Sequence, residues 1–278
     1  MISAWQHIAQ HIDPVAFVIG PFSMRWYALC FIFGFLVSLA YILKRCASSR
    51  GPIGRETILD FAPWLFLGIL AGGRIGFALI YEQSLLADPS SLFSPFDPLT
   101  GAYVGIRGMS FFGALFGAAV TLLVYAFFRR VRIFPLSDLL VQGVPLALMF
   151  GRIGNFLNLE LPGRVTAVPW AVSYPNPDGV GPWTLRHPSS LYEAGLEGAI
   201  LFVVMRILSR KRLPEGVSTG IFLAGYAGSR FVLEFLREPD PGVAVFFGWM
   251  TMGQSLAVVL LLVSIPMIGV FSFSHRDR

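Results

Sequence analysis

The sequence predicts an all-α integral membrane protein with about seven transmembrane helices, and three observations lead to that prediction. Hydrophobic residues make up 55% of the 278 positions, charged residues make up 13%, and the mean hydropathy is +0.68. These values lie beyond those of soluble globular proteins. Apolar runs of about eighteen residues or more recur along the chain, and basic residues gather in the short connections between them.

The individual spans follow from a helix-length window moved along the sequence. They are predicted near residues 22–43, 58–81, 108–128, 136–156, 189–208, 218–236 and 249–270. Helices are favoured over a barrel because barrel strands would be about ten residues long with alternating polarity. No separate soluble domain is evident, so residues 1–278 are interpreted as a single polytopic membrane domain.

The orientation of the spans follows from the positions of Lys and Arg. Basic residues follow the first, third, fifth and seventh predicted spans, namely Lys44, Arg45, Arg50, Arg55, Arg129, Arg130, Arg132, Arg210, Lys211, Arg212, Arg276 and Arg278. These ends are predicted to be cytoplasmic, which places the N-terminus in the periplasm and the C-terminus in the cytoplasm. Topology thus explains the net charge of +5, and no nucleic-acid partner is expected.

Two connections on the predicted outer side, 82–106 and 157–188, are long enough to do more than turn the chain. The second contains Pro169, Trp170 and the turn-rich run YPNPDG at 174–179. It predicts a small ordered periplasmic head over residues 157–188, inserted between the fourth and fifth spans. A solvated linker is the alternative.

A polar stretch at the end of the fourth predicted span carries the clearest candidate site. Residues 151–160 read GRIGNFLNLE and place Arg152, Asn155, Asn158 and Glu160 directly after an apolar run. Charge in lipid is costly, so an ionisable residue there indicates a functional site by default. The alternative is an interfacial anchor, in which the arginine side chain extends to lipid head groups.

Two other predicted spans that run outward also carry an arginine. Arg74 lies in the second span, and Arg230 lies in the sixth with Glu234 one helical turn later. Arginines that converge beneath an outer surface favour an anion, which in a membrane is usually a lipid phosphate that the guanidinium can bind bidentately. The alternative is that Arg and Glu neutralise one another between helices.

A second polar cluster begins the fifth predicted span, where residues 187–193 read HPSSLYE. Pro188 and the serines are ordinary helix-start residues, and Glu193 lies near a helix N-terminus that favours a carboxylate. His187 is a candidate acid or base. An interfacial structural role for this histidine is the alternative.

These residues together resemble the prolipoprotein diacylglyceryl transferase family of bacterial inner membranes. The pattern GRxGNFxNxExxG over 151–163 is similar to the family signature, and further similar segments occur in order along the chain. They are Trp26-Tyr27, GGRIG at 72–76, GMSF at 108–111, HPSxLYE at 187–193, Gly225-Tyr226 with Arg230 and Glu234, and TMGQ at 251–254.

The resemblance implies an enzyme that transfers the diacylglyceryl group of phosphatidylglycerol to a cysteine thiol and releases glycerol phosphate. The acceptor is the lipobox cysteine in the signal peptide of a preprolipoprotein. The implied partners are therefore phosphatidylglycerol, that signal peptide and the surrounding membrane lipids. No cofactor or metal is implied, and no usual metal-ligand spacing occurs in the sequence.

The resemblance also implies a set of site residues. The catalytic residues are expected to be Arg152, Arg230, Tyr27, Asn155, Glu160, Tyr226 and His187. The phosphatidylglycerol-binding residues are expected to be Arg152, Asn155, Gly163, Arg230, Glu234 and Arg74. In this scheme the two central arginines stabilise the leaving phosphate, Glu160 positions an arginine, and Gly163 allows close backbone approach.

One position departs from the family pattern. After Met109-Ser110-Phe111 the family usually continues with a histidine, proposed as the base, and two glycines, whereas this chain has Phe112-Gly113-Ala114. Phenylalanine cannot transfer a proton. The base is then His187, Glu193 or a tyrosine, or arginines assist thiol ionisation. Otherwise the chain binds or transports lipid without turnover. We favour retained activity because the other motifs are intact.

Overall fold

The computed structural model describes residues 2–48, 51–86, 92–96, 101, 103, 108–176, 181–238 and 249–273. The α-helices are α1 (Ile2–Gln6), α2 (Trp26–Ser48), α3 (Arg55–Ile80), α4 (Phe111–Arg129), α5 (Ile133–Leu140), α6 (Val144–Leu157), α7 (Ser189–Glu193), α8 (Leu201–Leu208), α9 (Val217–Leu233) and α10 (Met252–Phe273). The strands are β1 (Val15–Ile19), β2 (Phe22–Arg25), β3 (Val172–Tyr174) and β4 (Thr184–Arg186). Short 3-10 helices lie at Ile8–His11 and Gln83–Leu86, and a π-helix spans Ala194–Ile200.

The helical membrane class predicted from the sequence is confirmed. Among the described residues, α2, α3, α4 and α10 are each long and apolar enough to cross a membrane. The pair α5 and α6 passes the same test together and makes a fifth candidate. The number of seven spans, their orientation and the assignment to one polytopic domain stay predictions.

The span predicted near residues 136–156 is made of two helices, α5 and α6, rather than one continuous helix. Helices α5 and α6 meet at an angle of 46°. Pro145, in the first turn of α6, has no N–H to donate to the carbonyl of Val141, so the helix cannot continue through this position. Gly143, at the break, lies so close to Ile42 and Ser38 that an added Cβ would come within 2.7 Å and 2.9 Å of their side chains.

The described residues divide into two compact units, each with its own packing. The first contains Met1–Phe17, Met24–Ile42 and Leu140–Arg278, and the second contains Val18–Ser23 and Leu43–Leu139. In the second unit α3 packs on α4 through Gly72, Gly76, Gly113 and Gly117, where an added Cβ would collide with the facing backbone. The glycines of the 72–76 motif therefore serve close helix packing.

In the first unit, the 157–188 connection contains a short hairpin. Strands β3 and β4 are antiparallel, with Val172 opposite Arg186, and Val172 and Tyr174 are fully buried. Burial raises the pKa of the Tyr174 hydroxyl well above its usual range, so this hydroxyl stays protonated. Three residues of the turn-rich run predicted in this connection, Pro177, Asp178 and Gly179, lie outside the described residues.

The N-terminal segment packs against this hairpin, which the sequence analysis did not anticipate. Ala9 joins Phe156, Val172 and Tyr174 in one hydrophobic core. The indole Nε1 of Trp5 donates to the carbonyl of Trp170 at 2.9 Å. The segment is therefore part of the same packed structure as the connection between α6 and α7.

Candidate functional site

Six buried charged side chains from remote parts of the sequence meet in the first unit. We call them the arginine–glutamate cluster: Arg152, Arg230, Arg237, Glu193, Glu197 and Glu234. Each is at most 7% exposed. With three guanidiniums and three carboxylates, the cluster has a formal charge of zero. Such a buried pairing satisfies charges that would be very costly if left alone.

Glu193, the last residue of α7, lies at the centre of the cluster and is 1% exposed. Its Oε2 lies 3.0 Å from Nη1 of Arg152. Its Oε1 lies 2.5 Å from Nη1 of Arg230 and 3.5 Å from Nη1 of Arg237. One carboxylate thus holds three guanidiniums at a defined spacing.

Glu234 is held from two sides. Its Oε2 lies 2.8 Å from Nη2 of Arg230, and its Oε1 accepts a hydrogen bond from Oγ1 of Thr251 at 2.9 Å. At Gly253 an added Cβ would come within 2.6 Å of Oε1 of Glu234, so the glycine makes room for the carboxylate. The TMGQ motif therefore acts here by positioning Glu234.

Glu197 is the least compensated member of the cluster. It lies in the π-helix, is fully buried, and contacts a guanidinium through Oε2, which is 3.3 Å from Nη2 of Arg152. Its Oε1 is buried and has no hydrogen-bond partner among the described residues. Within the same set of residues, Nε of Arg230 is also buried without a partner. The cluster therefore retains hydrogen-bonding capacity on both a carboxylate and a guanidinium.

Two glycines bring the supporting helices together around Arg152. At Gly154 an added Cβ would lie 3.1 Å from Cα of Tyr27, so α6 approaches the start of α2 closely. At Gly198 an added Cβ would lie 2.5 Å from Cβ of Met149, so the π-helix approaches α6. Small residues at such contacts allow close packing in membranes and place Arg152 between its carboxylate partners.

Glu160 organises the polar residues at the end of α6. Its two carboxylate oxygens accept hydrogen bonds from Nδ2 of Asn155 at 3.1 Å and Nδ2 of Asn158 at 3.0 Å. Oδ1 of Asn158 in turn accepts from the backbone N of Tyr27 at 3.1 Å. Sequence analysis assigned Glu160 to an arginine, whereas the structure shows these hydrogen bonds to two asparagines. The reason is that the chain turns back directly after α6.

The turn after α6 contains unusual backbone conformations. Leu159 and Leu161 have φ of 57° and 56°, in the left-handed region that non-glycine residues seldom adopt. The backbone N of Glu160, between them, donates to the carbonyl of Asn155 at 2.9 Å. These conformations direct Glu160 towards its two asparagines, and strain of this kind is typical of functional sites.

Gly163 lies where three chain segments meet. Its N donates to the carbonyl of His187 at 2.9 Å, and an added Cβ would lie 2.6 Å from that carbonyl oxygen and 2.7 Å from the carbonyl oxygen of Leu236. Gly163 thus allows a close backbone approach, and the groups that approach it are the backbone carbonyls of His187 and Leu236. Lipid binding by this glycine stays a prediction.

Gly163→Ala should destabilise the protein by about 1–3 kcal/mol because the new methyl group would overlap two backbone carbonyls. The expected result is a lower midpoint of thermal unfolding in detergent. Gly195→Ala is the matched control, because nothing lies within 4 Å of a Cβ added there. Equal midpoints for the two variants would contradict the proposed packing role of Gly163.

His187 lies in a different environment from the cluster. Its Nδ1 is 3.2 Å from Oη of Tyr192, which also accepts a hydrogen bond from Nε1 of Trp170 at 2.7 Å. These three side chains line an open, largely apolar pocket of about 360 Å³, which Leu196 and Leu233 also line. The structure therefore places His187 at an open apolar pocket beside two aromatic residues.

Tyr27 and Tyr226 also belong to the first unit, whereas Arg74 and Phe112 belong to the second. Arg74 is buried, and its guanidinium lies over the ring of Phe77. Its Nε donates to the carbonyl of Leu92, and its Nη1 donates to the carbonyl of Gly108 at 3.2 Å. The assignment of Arg74 to lipid binding stays a prediction.

Phe112, at the position where the family usually has a histidine, is half-buried and contacts the ring of Phe111 edge to face.

Two members of the cluster were not singled out by the sequence analysis. Glu197 follows Glu193 by four residues inside a predicted span, so the rule for intramembrane charges could have identified it. Arg237 follows directly after the sixth predicted span. No sequence signal distinguishes it from the other loop arginines, because its role depends on reaching Glu193.

Comparison with known proteins gives a consistent result. Residues 14–270 match the family model described as prolipoprotein diacylglyceryl transferase. The phosphatidylglycerol–prolipoprotein diacylglyceryl transferase of Chromohalobacter salexigens is 43% identical over 258 residues, which cover 92% of this chain and 91% of that protein. The protein of the same name from Vibrio cholerae is 41% identical over 272 residues, 96% and 95% of the two chains. The one from Aeromonas hydrophila is 39% identical over 264 residues, 95% and 92%.

Proposed function

The chain belongs to the prolipoprotein diacylglyceryl transferase family, and we propose that it is a transferase acting on phosphatidylglycerol and a preprolipoprotein. It moves the diacylglyceryl group to the thiol of the lipobox cysteine in the signal peptide and releases glycerol phosphate. Support comes from the family match along most of the chain and from relatives named for this activity. Each of these relatives is named a transferase, so the alternative of lipid binding or transport is not favoured.

The observation that carries the proposal is the buried pair Arg152 and Arg230, joined through Glu193. In the reaction the substrate thiolate attacks a glyceryl carbon, the bond from that carbon to the phosphate oxygen breaks, and the phosphate leaves with one more negative charge. Guanidiniums held in advance by Glu193 would stabilise that charge with little rearrangement. Stabilisation of this kind is usually the largest contribution to catalysis.

The remaining site residues have supporting roles in this proposal. Asn155, organised by Glu160, and the hydroxyls of Tyr27 and Tyr226 offer hydrogen bonds to the glycerol and ester groups of the lipid. Glu234 keeps Arg230 oriented. The list of lipid-binding residues is completed by Gly163 and Arg74, and His187 is kept as a candidate proton-transfer group.

The proposal also includes a location. A multi-pass membrane protein is supported by the apolar helices, and the finer assignment is the bacterial inner membrane with the N-terminus in the periplasm. The 157–188 connection would then be a periplasmic head. This orientation rests on the basic residues after the first, third, fifth and seventh predicted spans.

The native chain should catalyse transfer although Phe112 replaces the family histidine. Vesicles that contain the protein, labelled phosphatidylglycerol and a lipobox peptide are expected to yield a diacylglyceryl thioether, measured by mass spectrometry of the peptide. A peptide with serine in place of cysteine is the control and should give no product. No thioether under conditions where Phe112→His is active would refute transferase activity for the native chain.

A further inference from the structure

The four carboxylates of the site differ in how well their negative charge is compensated. Glu193 contacts three guanidiniums, Glu234 has one guanidinium and one hydroxyl, and Glu160 has two amide donors. The ion pair that the described structure gives Glu197 is with Arg152, at 3.3 Å, and among the described residues its buried Oε1 has no hydrogen-bond partner. Fewer partners for the charged form make a carboxylate a better proton acceptor. Glu197 is therefore the most basic of the four on this geometry.

Substrate binding changes this balance further. The cluster is formally neutral, and a lipid phosphate brings one negative charge into a site whose six members are at most 7% exposed. Of the two ion pairs of Arg152, the longer one is with Glu197, at 3.3 Å against 3.0 Å for Glu193, and we expect an incoming phosphate to displace this longer pair. Glu197 would then lose its guanidinium partner as the lipid arrives. A buried carboxylate without a counter-ion strongly favours the protonated form.

We propose that Glu197 accepts the proton of the substrate thiol, a proposal that rests on the transferase function above. The S–H bond breaks and its proton moves to Oε1 of Glu197, while a bond forms between sulfur and the glyceryl carbon. The electron pair of the broken bond between that carbon and oxygen stays on the phosphate. After glycerol phosphate leaves, Arg152 can contact Glu197 again, and because a nearby guanidinium favours the charged carboxylate, the carboxyl group then releases the proton to water.

The local structure of Glu197 suits this role. The π-helix Ala194–Ile200 carries the residue, and π-helical turns are frequent at functional sites. Gly198 allows this helix to approach α6 closely, which brings the carboxylate to Arg152. The thiol of a free cysteine has a pKa of about 8.5, so most substrate thiols are protonated at neutral pH and need a proton acceptor. Phe112 cannot accept that proton.

Glu197→Gln tests the proposal when two acceptor peptides are compared. With the cysteine peptide, kcat should fall about 10²- to 10⁴-fold, the usual contribution of a general base. With a selenocysteine peptide, whose selenol is already ionised at neutral pH, the defect should shrink to a few-fold. A group that merely positions Arg152 would give the same loss with both peptides, because both reactions need the same leaving-group stabilisation.

Glu234→Gln is the matched control, since it removes another carboxylate of the cluster with two partners of its own. Its loss should be equal for the two peptides. If the Glu197→Gln protein does not insert into the membrane, Glu197→Asp replaces it in the test. We then expect partial activity with the cysteine peptide and near-native activity with the selenocysteine peptide. Normal turnover with the cysteine peptide, or equal losses with both peptides, would overturn the role of Glu197. The native protein with the cysteine peptide tests the transferase function independently.

Discussion

Arg152→Ala should reduce transfer at least about 10²- to 10³-fold, the usual effect of removing one group that stabilises developing charge. The side chain is buried and bound by two carboxylates, at 3.0 Å and 3.3 Å. Its loss would leave Glu193 with fewer cations and Glu197 with no guanidinium in contact. Breaking a buried ion pair in this way also costs about 3–5 kcal/mol of stability.

Two further variants separate chemistry from folding. Arg152→Lys keeps the positive charge but loses the planar fork that binds a phosphate bidentately, so transfer should still fall strongly while the unfolding midpoint changes less. Arg129→Ala is the control, because its ion pair with Asp60 is exposed at 56% and 41%. Exposed pairs of this kind contribute little to stability. Near-normal turnover of an inserted Arg152→Ala protein would remove this arginine from the mechanism.

Glu193→Ala should have the second large effect, because three guanidiniums would lose the carboxylate that separates them. Two carboxylates would remain for three arginines in a buried site. We expect a loss of about 3–5 kcal/mol of stability together with loss of transfer, measured by thermal unfolding in detergent and by the thioether assay. Asp60→Asn removes a half-exposed carboxylate instead and should leave transfer near the native value.

Glu193→Gln shows whether the carboxylate positions the arginines or only neutralises them. The substitution makes the cluster formally positive, so phosphatidylglycerol should bind as well as before or better, and KM should stay equal or fall. kcat should fall because an amide NH₂ would face at least one guanidinium and displace it. A lower kcat with an equal or lower KM would indicate that the arginines still bind the lipid but no longer stabilise the transition state. A raised KM with unchanged kcat would contradict it.

The class of the protein was predictable from the sequence because an apolar run of helix length is a local property. The same holds for Arg152 and Arg230, since a charge beside an apolar run is costly in lipid wherever its partner lies. The motif TMGQ could be recognised in the sequence as similar to a family segment, but its structural role could not be predicted. Its action on Glu234 depends on a glycine facing a carboxylate from another helix.

By itself, the sequence thus determined the helical membrane class, because composition and periodicity act over neighbouring residues, and its motifs in order were enough to recognise the family. The catalytic role of the two central arginines stays a prediction. Tertiary structure decided the partners: Glu193 and Glu197 are 41 and 45 positions from Arg152, and Glu160 turned out to hold two asparagines. It also decided the bend between α5 and α6 and the π-helix. Contacts between buried charges depend on distances between remote segments, which no local pattern encodes, and burial then makes those contacts energetically decisive.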